Sequence, residues 1–421
     1  MDSVIAKHKT LQENTLDNLS YSFNTFDRLF NKIIRRDKVL KLSGLKGSSN
    51  SYLVSILVKK LEMPILYLVS SKEIAETESE NIAFFLGEKP PILLKKEPDL
   101  TDALFSSVTR EYAERISWLY FANKKKIFIA EASALFQKSV PVDVLANTAL
   151  KIQKYSEIAR DNLISKLIQM GYVRSEFVER IGEVSIRGSI IDLFPPGYNN
   201  PLRLELLGDE VRSIRFFKVD DQKSLEKIDD ATILPVSEVI LTEEAIKQCL
   251  SYVRKKAAEQ EMPASAKISL IEEIEKGIRF PEIEWILPSF YKKLNTVFDY
   301  IPQETLIIFD NPDEISKSFK AYFKNLPDIE NSMKRHLKIS PDFHELYLTE
   351  DQLKDEISRY QAILIEDVEI YEKGVECIRF DTETVPVNKE AGYDSPFDFL
   401  CLKIQEWQSL GIQVNLVLET A

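Results

Sequence analysis

Cysteine and histidine are scarce in this sequence of 421 residues. The three cysteines, Cys249, Cys377 and Cys401, are far apart and odd in number, which excludes a disulfide framework and a CxxC zinc site. Three histidines form no cluster for acid–base catalysis. No run of about 18 apolar residues occurs, and the N-terminus lacks the apolar core of a signal peptide. We therefore expect a cytoplasmic protein without a membrane segment.

Positive charge is also in deficit, with 55 Lys and Arg against 67 Asp and Glu and a net charge of -12. This balance argues against a general basic coat for nucleic acid. Residues 151–230 depart from it, because they carry 13 basic and 14 acidic residues and seven of the 17 arginines. With 44% hydrophobic residues, the chain can bury several cores, and its length predicts about three domains.

Apolar strands alternate with amphipathic helices in the first third of the chain, which is typical of parallel α/β units. After a helix predicted over about 144–170, the pattern changes to short strands as far as residue 236. There Leu202, Leu204 and Leu206 alternate with Arg203 and Glu205, as in a sheet with one buried face. These patterns predict an α/β domain that is interrupted by a mostly-β domain.

The predicted domains are 1–146 and 237–315 for the two parts of the α/β domain, 147–236 for the inserted β domain, and 316–421 for a further small α/β domain. The last of these contains an apolar strand at 362–365, a helix at 397–409 and a strand at 411–418. Since the final strand has no helix to cover it, we expect this domain to be incomplete and the chain to be part of a longer protein.

A loop after the first strand has the position of a phosphate-binding P-loop but lacks its key residues. In the pattern GxxxxGK[ST], glycines admit phosphate, Lys neutralises it and the hydroxyl holds magnesium. Here Ser49 replaces the second Gly and Asn50 replaces the Lys, while Asn311 stands where a hydrolytic Glu would follow the strand-ending Asp310. The remnants of the nucleotide site are Gly44, Gly47, Ser49, Asn50, Ser51, Asp310 and Asn311. Loss of the Lys and of the Glu predicts a scaffold without ATP hydrolysis and without a bound cofactor.

The arginines of the β domain suggest a protein interface, since guanidinium groups on a rigid sheet can bind carboxylates with two hydrogen bonds. Arg174 follows the sequence Gly-Tyr-Val at the end of a predicted helix, and Arg187 precedes Gly188 inside a predicted strand. The alternative is that several arginines pair internally with acids such as Glu205 or Glu210 and only solvate the outer face.

The segments Gly171–Arg174 and Gly182–Gly197, continued by Arg203–Val211, resemble the signature of domain 2 of UvrB. This signature is shared by UvrB and by the family of bacterial transcription-repair coupling factors (Mfd). The degenerate P-loop is similar to that of the coupling factors, whereas UvrB keeps a working GK[ST]. The stretch at about 86–117 has no aromatic cluster like the DNA-wedging hairpin of UvrB.

The resemblance, which covers residues 40–315, implies a degenerate P-loop NTPase-like parallel sheet carrying a UvrB domain 2-like insertion. It implies a non-catalytic recruitment module that binds UvrA through Arg174, Arg187 and Ile191. One arginine of the UvrB contact set is Ser185 here. RNA polymerase, DNA and an ATP-dependent translocase motor would belong to parts of the full factor that this chain lacks. Two alternatives stay open: a UvrB-like ATP-dependent DNA-unwinding subunit and a DNA-binding scaffold.

Overall fold

The computed structural model describes residues 25–88, 91, 93–94, 110–280, 283–366, 376–380, 382, 396–411 and 414. Residues 1–24, the end of the predicted strand 411–418 and residues 95–109 of the stretch compared with the UvrB hairpin lie outside these residues. None of the described helices is both long enough and apolar enough to span a membrane.

The described chain consists of strands and helices, and between residues 173 and 233 the strands follow one another without a helix. The strands are β1 (Val39–Ser43), β2 (Ile65–Val69), β3 (Leu93–Leu94), β4 (Ile127–Glu131), β5 (Leu150–Gln153), β6 (Val173–Arg174), β7 (Glu183–Arg187), β8 (Ile190–Leu193), β9 (Leu202–Leu207), β10 (Glu210–Phe217), β11 (Ser224–Ile228), β12 (Asp230–Ile233), β13 (Leu306–Asp310), β14 (Gln361–Glu366) and β15 (Cys377–Arg379). The α-helices are α1 (25–34), α2 (Ser49–Lys60), α3 (Lys72–Leu86), α4 (Arg110–Phe121), α5 (Val142–Thr148), α6 (Arg160–Gln169), α7 (Glu243–Glu259), α8 (Ala264–Glu275), α9 (Val297–Tyr300), α10 (Pro312–His336), α11 (Phe343–Leu346), α12 (Glu350–Ile357) and α13 (Pro396–Ser409). Short 3-10 helices lie at Ala132–Leu135 and Ile283–Ser289.

The larger sheet is parallel and has the strand order β15-β1-β14-β13-β2-β4-β3. Its strands are apolar on both faces because helices cover both sides. In β2, Ile65, Tyr67 and Val69 pack into one hydrophobic core, while Leu66 and Leu68 pack into the other. This layered α/β arrangement confirms the predicted fold class for the body of the chain.

The prediction that residues 316–421 form a separate domain is wrong, because the strands of this segment belong to the larger sheet. β14 pairs with both β1 and β13, and β15 pairs with the other edge of β1. Residues 361–366 therefore form a central strand of the main sheet. The physical reason is that parallel strands need a helical crossover, and α10–α12 provide it between β13 and β14.

The second sheet has the order β11-β10-β9-β8-β7-β6 and is antiparallel except for the pairing of β6 with β7. One of its faces packs on α6 to form a core of its own. The alternation predicted for β9 is present, because Leu202, Leu204 and Leu206 are buried while Arg203 and Glu205 are half-buried on the other face. These strands form the mostly-β part that the sequence predicted.

The single helix predicted over about 144–170 is also wrong. The chain forms α5, then β5, and returns to helix only at Arg160. β5 pairs antiparallel with β12, so Leu150 lies opposite Ile233 and Ile152 opposite Ala231. A partner strand some 80 residues further along the chain thus decides the conformation of a segment whose local pattern favours helix.

Candidate functional site

The loop between β1 and α2 lies at the carboxyl edge of the parallel sheet, where ligands of open α/β sheets bind. Gly44 has a φ of +80°, and a Cβ there would collide with the carbonyl oxygen of Phe380. The hydroxyl of Ser49 accepts a bond of 2.7 Å from the Lys46 N–H and donates one of 2.8 Å to the Lys46 carbonyl. The loop therefore packs against the end of β15 and uses its own polar groups.

The other remnants of the nucleotide site bond to each other or to neighbouring elements. The side-chain amide of Asn50 donates to Oδ1 of Asp310 at 2.9 Å, and the hydroxyl of Ser51 donates to the Glu78 carboxylate of α3. Asn311 caps α10, where its side chain accepts from the Glu314 N–H. The two residues that would meet magnesium in a working site, Ser51 and Asp310, thus have protein partners.

Burial changes the acidity of this polar cluster. Burial raises the pKa of Glu78 to about 6, with the nearby Asp310 carboxylate contributing in the same direction. The phenol of Tyr67 is fully buried beside both carboxylates, and burial raises its pKa well above the ordinary value. This arrangement provides polar partners inside the protein, and Asn50 supplies a neutral amide where a P-loop has its Lys.

The β domain presents Arg174 and Arg187 on opposite faces of its sheet. Arg174 lies opposite Val184 in the pairing of β6 with β7, and Val184 points into the core under α6. Arg187 belongs to the other face, where it bonds to Asp192 of β8. The two arginines that the resemblance assigns to UvrA binding therefore project to opposite sides of this sheet.

Arg187 is held by a buried carboxylate. Its Nη2 donates to Oδ2 of Asp192 at 2.6 Å, and Asp192 is 0% exposed. The same carboxylate accepts two bonds from Arg203, at 2.7 Å and 2.9 Å, and these hydrogen bonds raise the pKa of Arg203. Two guanidinium groups share one negative charge, so this face keeps an excess of positive charge and has little freedom to move.

Aromatic rings also pack against Arg187 and Arg203 and help to hold them in place. The Arg187 guanidinium lies 5.4 Å from the ring centre of Phe177, which is 47% exposed, and Arg203 lies 4.6 Å from that of Phe217. The hydroxyl of Ser185, which stands where UvrB has an arginine, is buried and donates to the Glu176 carbonyl at 2.7 Å. Ser185 thus holds the loop that carries Phe177.

The other arginines of this sheet favour the alternative of internal pairing. Arg215 lies 3.5 Å from Glu205, and Arg212 lies 3.2 Å from Glu210. Among the described residues, no carboxylate lies within ion-pair distance of Arg174, which is exposed. Arg174 is therefore the arginine of this sheet with its charge most available to a partner.

Ile191 does not lie on the surface. Its side chain is 0% exposed and packs in the core between the sheet and α6. The prediction that it makes an apolar contact with a partner is wrong, because residues that alternate along β8 place Asp192 outward and Ile191 inward. The sequence patterns did not identify Asp192 and Phe177 as part of the site. Asp192 could have been found as the acid within the apolar run Ile190–Phe194, whereas no comparable pattern surrounds Phe177.

Comparison with known proteins agrees with this organisation. A family profile described as "UvrB interaction domain" matches residues 150–239. This range coincides with the β5–β12 sheets and their core, so the inserted domain is similar to a UvrB interaction domain and lies on an α/β body.

The chain is similar over most of its length to proteins named transcription-repair-coupling factor. The protein of Myxococcus xanthus is 28% identical over 293 residues, which is 66% of this chain and 24% of that protein. For Bacillus subtilis (strain 168) the identity is 29% over 302 residues, covering 69% and 26% respectively, and for Haemophilus influenzae it is 29% over 262 residues, covering 62% and 22%. The chain thus spans about a quarter of the length of these relatives. It is a region like the N-terminal part of the coupling factors (Mfd), which confirms the resemblance found in the sequence.

Proposed function

We propose that this chain is a non-catalytic recruitment module that binds UvrA and so brings nucleotide excision repair to stalled RNA polymerase. The observation that carries this proposal is the UvrB interaction domain at 150–239, with Arg174 exposed and without a carboxylate partner among the described residues. Arginine that is free of internal pairs retains its full capacity for a bidentate bond to a carboxylate on another protein.

The non-catalytic part of the proposal is supported by the loop after β1. Asn50 occupies the position of the P-loop Lys and donates to Asp310, while Ser51 donates to Glu78. A nucleotide would have to break these bonds and would meet the neutral amide of Asn50 where a P-loop offers its Lys. Contacts with RNA polymerase and DNA, and an ATP-dependent motor, are assigned by this proposal to the remainder of a longer factor.

The test is a measurement of UvrA affinity for the purified chain, three single arginine-to-alanine variants and one double variant. Arg174→Ala and Arg187→Ala should each weaken binding, by about tenfold or more, and together more strongly. Arg212→Ala is the matched control, since the Arg212 side chain is 47% exposed and the Arg187 side chain 45%, and both pair with a carboxylate. Its affinity should stay within about twofold of the wild type.

Wild-type affinity in the Arg174→Ala, Arg187→Ala double variant would overturn the site assignment. A wild-type chain that does not bind UvrA would overturn the proposed function itself.

A further inference from the structure

A groove of about 350 Å³ lies between α6 and the edge of the second sheet, on the face that carries Arg174. Arg174 of β6 lines one wall and Arg160, the first residue of α6, lines the other. The floor is apolar: Ile164 is 8% exposed and the half-buried Ile186 packs on the same core. Ser165 lines the groove as well and is exposed.

Arg160 is held in place by bonds to two hairpins of the second sheet, β7–β8 and β9–β10. Its Nε donates to the Gly188 carbonyl at 3.1 Å, and its backbone N–H donates to Oδ1 of Asp209 at 3.1 Å. One guanidinium nitrogen of Arg160 also lies 3.2 Å from Asp161, whose side chain is 95% exposed. An ion pair this open to water is weak and can exchange for another carboxylate.

The groove therefore combines two positive charges and one negative charge with an apolar floor. The apolar stripe continues along α6, because Ile168 lies one turn beyond Ile164 and is 37% exposed. A phosphate backbone gains nothing from such a floor, whereas a protein segment can fill it with a side chain and place a carboxylate between the guanidinium groups.

We infer that this groove is a contact element separate from the Arg187 face, and that it receives a protein segment carrying a carboxylate beside an apolar side chain. Arg160 and Arg174 bind the carboxylate, and Ile164 and Ile186 receive the apolar group. This inference rests on the proposed function, since UvrA is the partner that would supply the segment. It adds Arg160, Ile164 and Ser165 to the binding surface and divides that surface between the two faces of the sheet.

The test measures UvrA affinity for the intact chain with substitutions inside the groove. Ser165→Trp fills the groove and removes only the bond of 2.9 Å from the exposed Ser165 hydroxyl to the Asp161 carbonyl, and Arg160→Ala removes a guanidinium. Each should weaken binding about tenfold or more, and Arg160→Lys should recover part of the loss because it restores the charge. Lys166→Ala is the control, since Lys166 is exposed on the same helix and does not line the groove.

Three results are informative. Weakened binding by both Ser165→Trp and Arg160→Ala, with Lys166→Ala unchanged, supports the groove. Unchanged affinity in both variants while Arg187→Ala still weakens binding overturns the groove and leaves the proposed function standing. A wild-type chain that binds duplex DNA through the groove but does not bind UvrA overturns both.

Discussion

At the scale of single residues, the same type of side chain has different chemistry in different surroundings. Arg187 shares the buried Asp192 with Arg203, whereas Arg174 has no carboxylate within ion-pair distance among the described residues. The first arginine is positioned before a partner arrives, which lowers the entropy lost on binding. The second keeps its charge available but must be ordered on binding. Both properties favour binding to a partner protein. The sequence alone does not show which of the two arginines has which property.

Glu78 leads to a prediction for the pH dependence of stability. Its pKa is about 6 in the folded protein and 4.5 without burial, so the folded state holds the proton over a range in which the unfolded state has lost it. The free energy of unfolding should therefore fall as pH rises from 4.5 to 6, by about 2 kcal/mol at most. Glu78→Gln mimics the protonated acid and should lack this fall.

The measurement is urea unfolding of the wild type and Glu78→Gln at several pH values. The stability of the variant relative to the wild type should increase between pH 4.5 and 6 and then stay level up to about pH 8. Glu80→Gln, an exposed position on the same helix, should follow the wild type. A constant difference between Glu78→Gln and the wild type across this range would contradict the raised pKa.

At the scale of secondary structure, the parts predictable from the sequence are those set by local pattern. The alternation of β9 and the apolar runs of β2, β4 and β13 predicted both the strands and their burial. β5 and the placement of β14 were not predictable in this way, because each depends on a partner strand distant in sequence. The predicted partner contact of Ile191 was wrong for another reason. A family signature identifies the residue but does not show which face of the sheet its side chain occupies.

The central position of β14 leads to a prediction for a shortened chain. Removal of residues 316–421 would take β14 from between β1 and β13 and expose Leu42 and Ile308, which are both 0% exposed in the intact chain. Unpaired edges and exposed apolar surface favour aggregation. Residues 1–315 alone should therefore be insoluble or should unfold without cooperativity, as measured by circular dichroism during urea unfolding. Cooperative unfolding at the midpoint of the intact chain would instead show that residues 316–421 are dispensable for the fold.

At the scale of the whole molecule, the inserted β domain is joined to the α/β body through two chain segments that lie side by side. The segment entering the domain contains Val140, and the one leaving it contains Glu238. Glu238 accepts from the Val140 N–H at 2.7 Å and pairs with Arg115 of α4 at 2.9 Å. Arg115 also donates to the Gln137 carbonyl and to the hydroxyl of Ser139. One buried ion pair thus fastens both segments to the body.

This junction leads to a prediction for Arg115→Met. The side chains of Arg115 and Glu238 are each 2% exposed, so removing the guanidinium leaves a buried carboxylate without its counter-charge. The free energy of unfolding should fall by about 3 kcal/mol or more, and part of the loss should return in the Arg115→Met, Glu238→Gln double variant. Arg110→Met on the same helix is the control: its side chain is 78% exposed and pairs only with Glu114 among the described residues, so it should cost about 0.5 kcal/mol or less. Equal losses for the Arg110 and Arg115 variants would mean that the buried pair does not fasten the domain to the body.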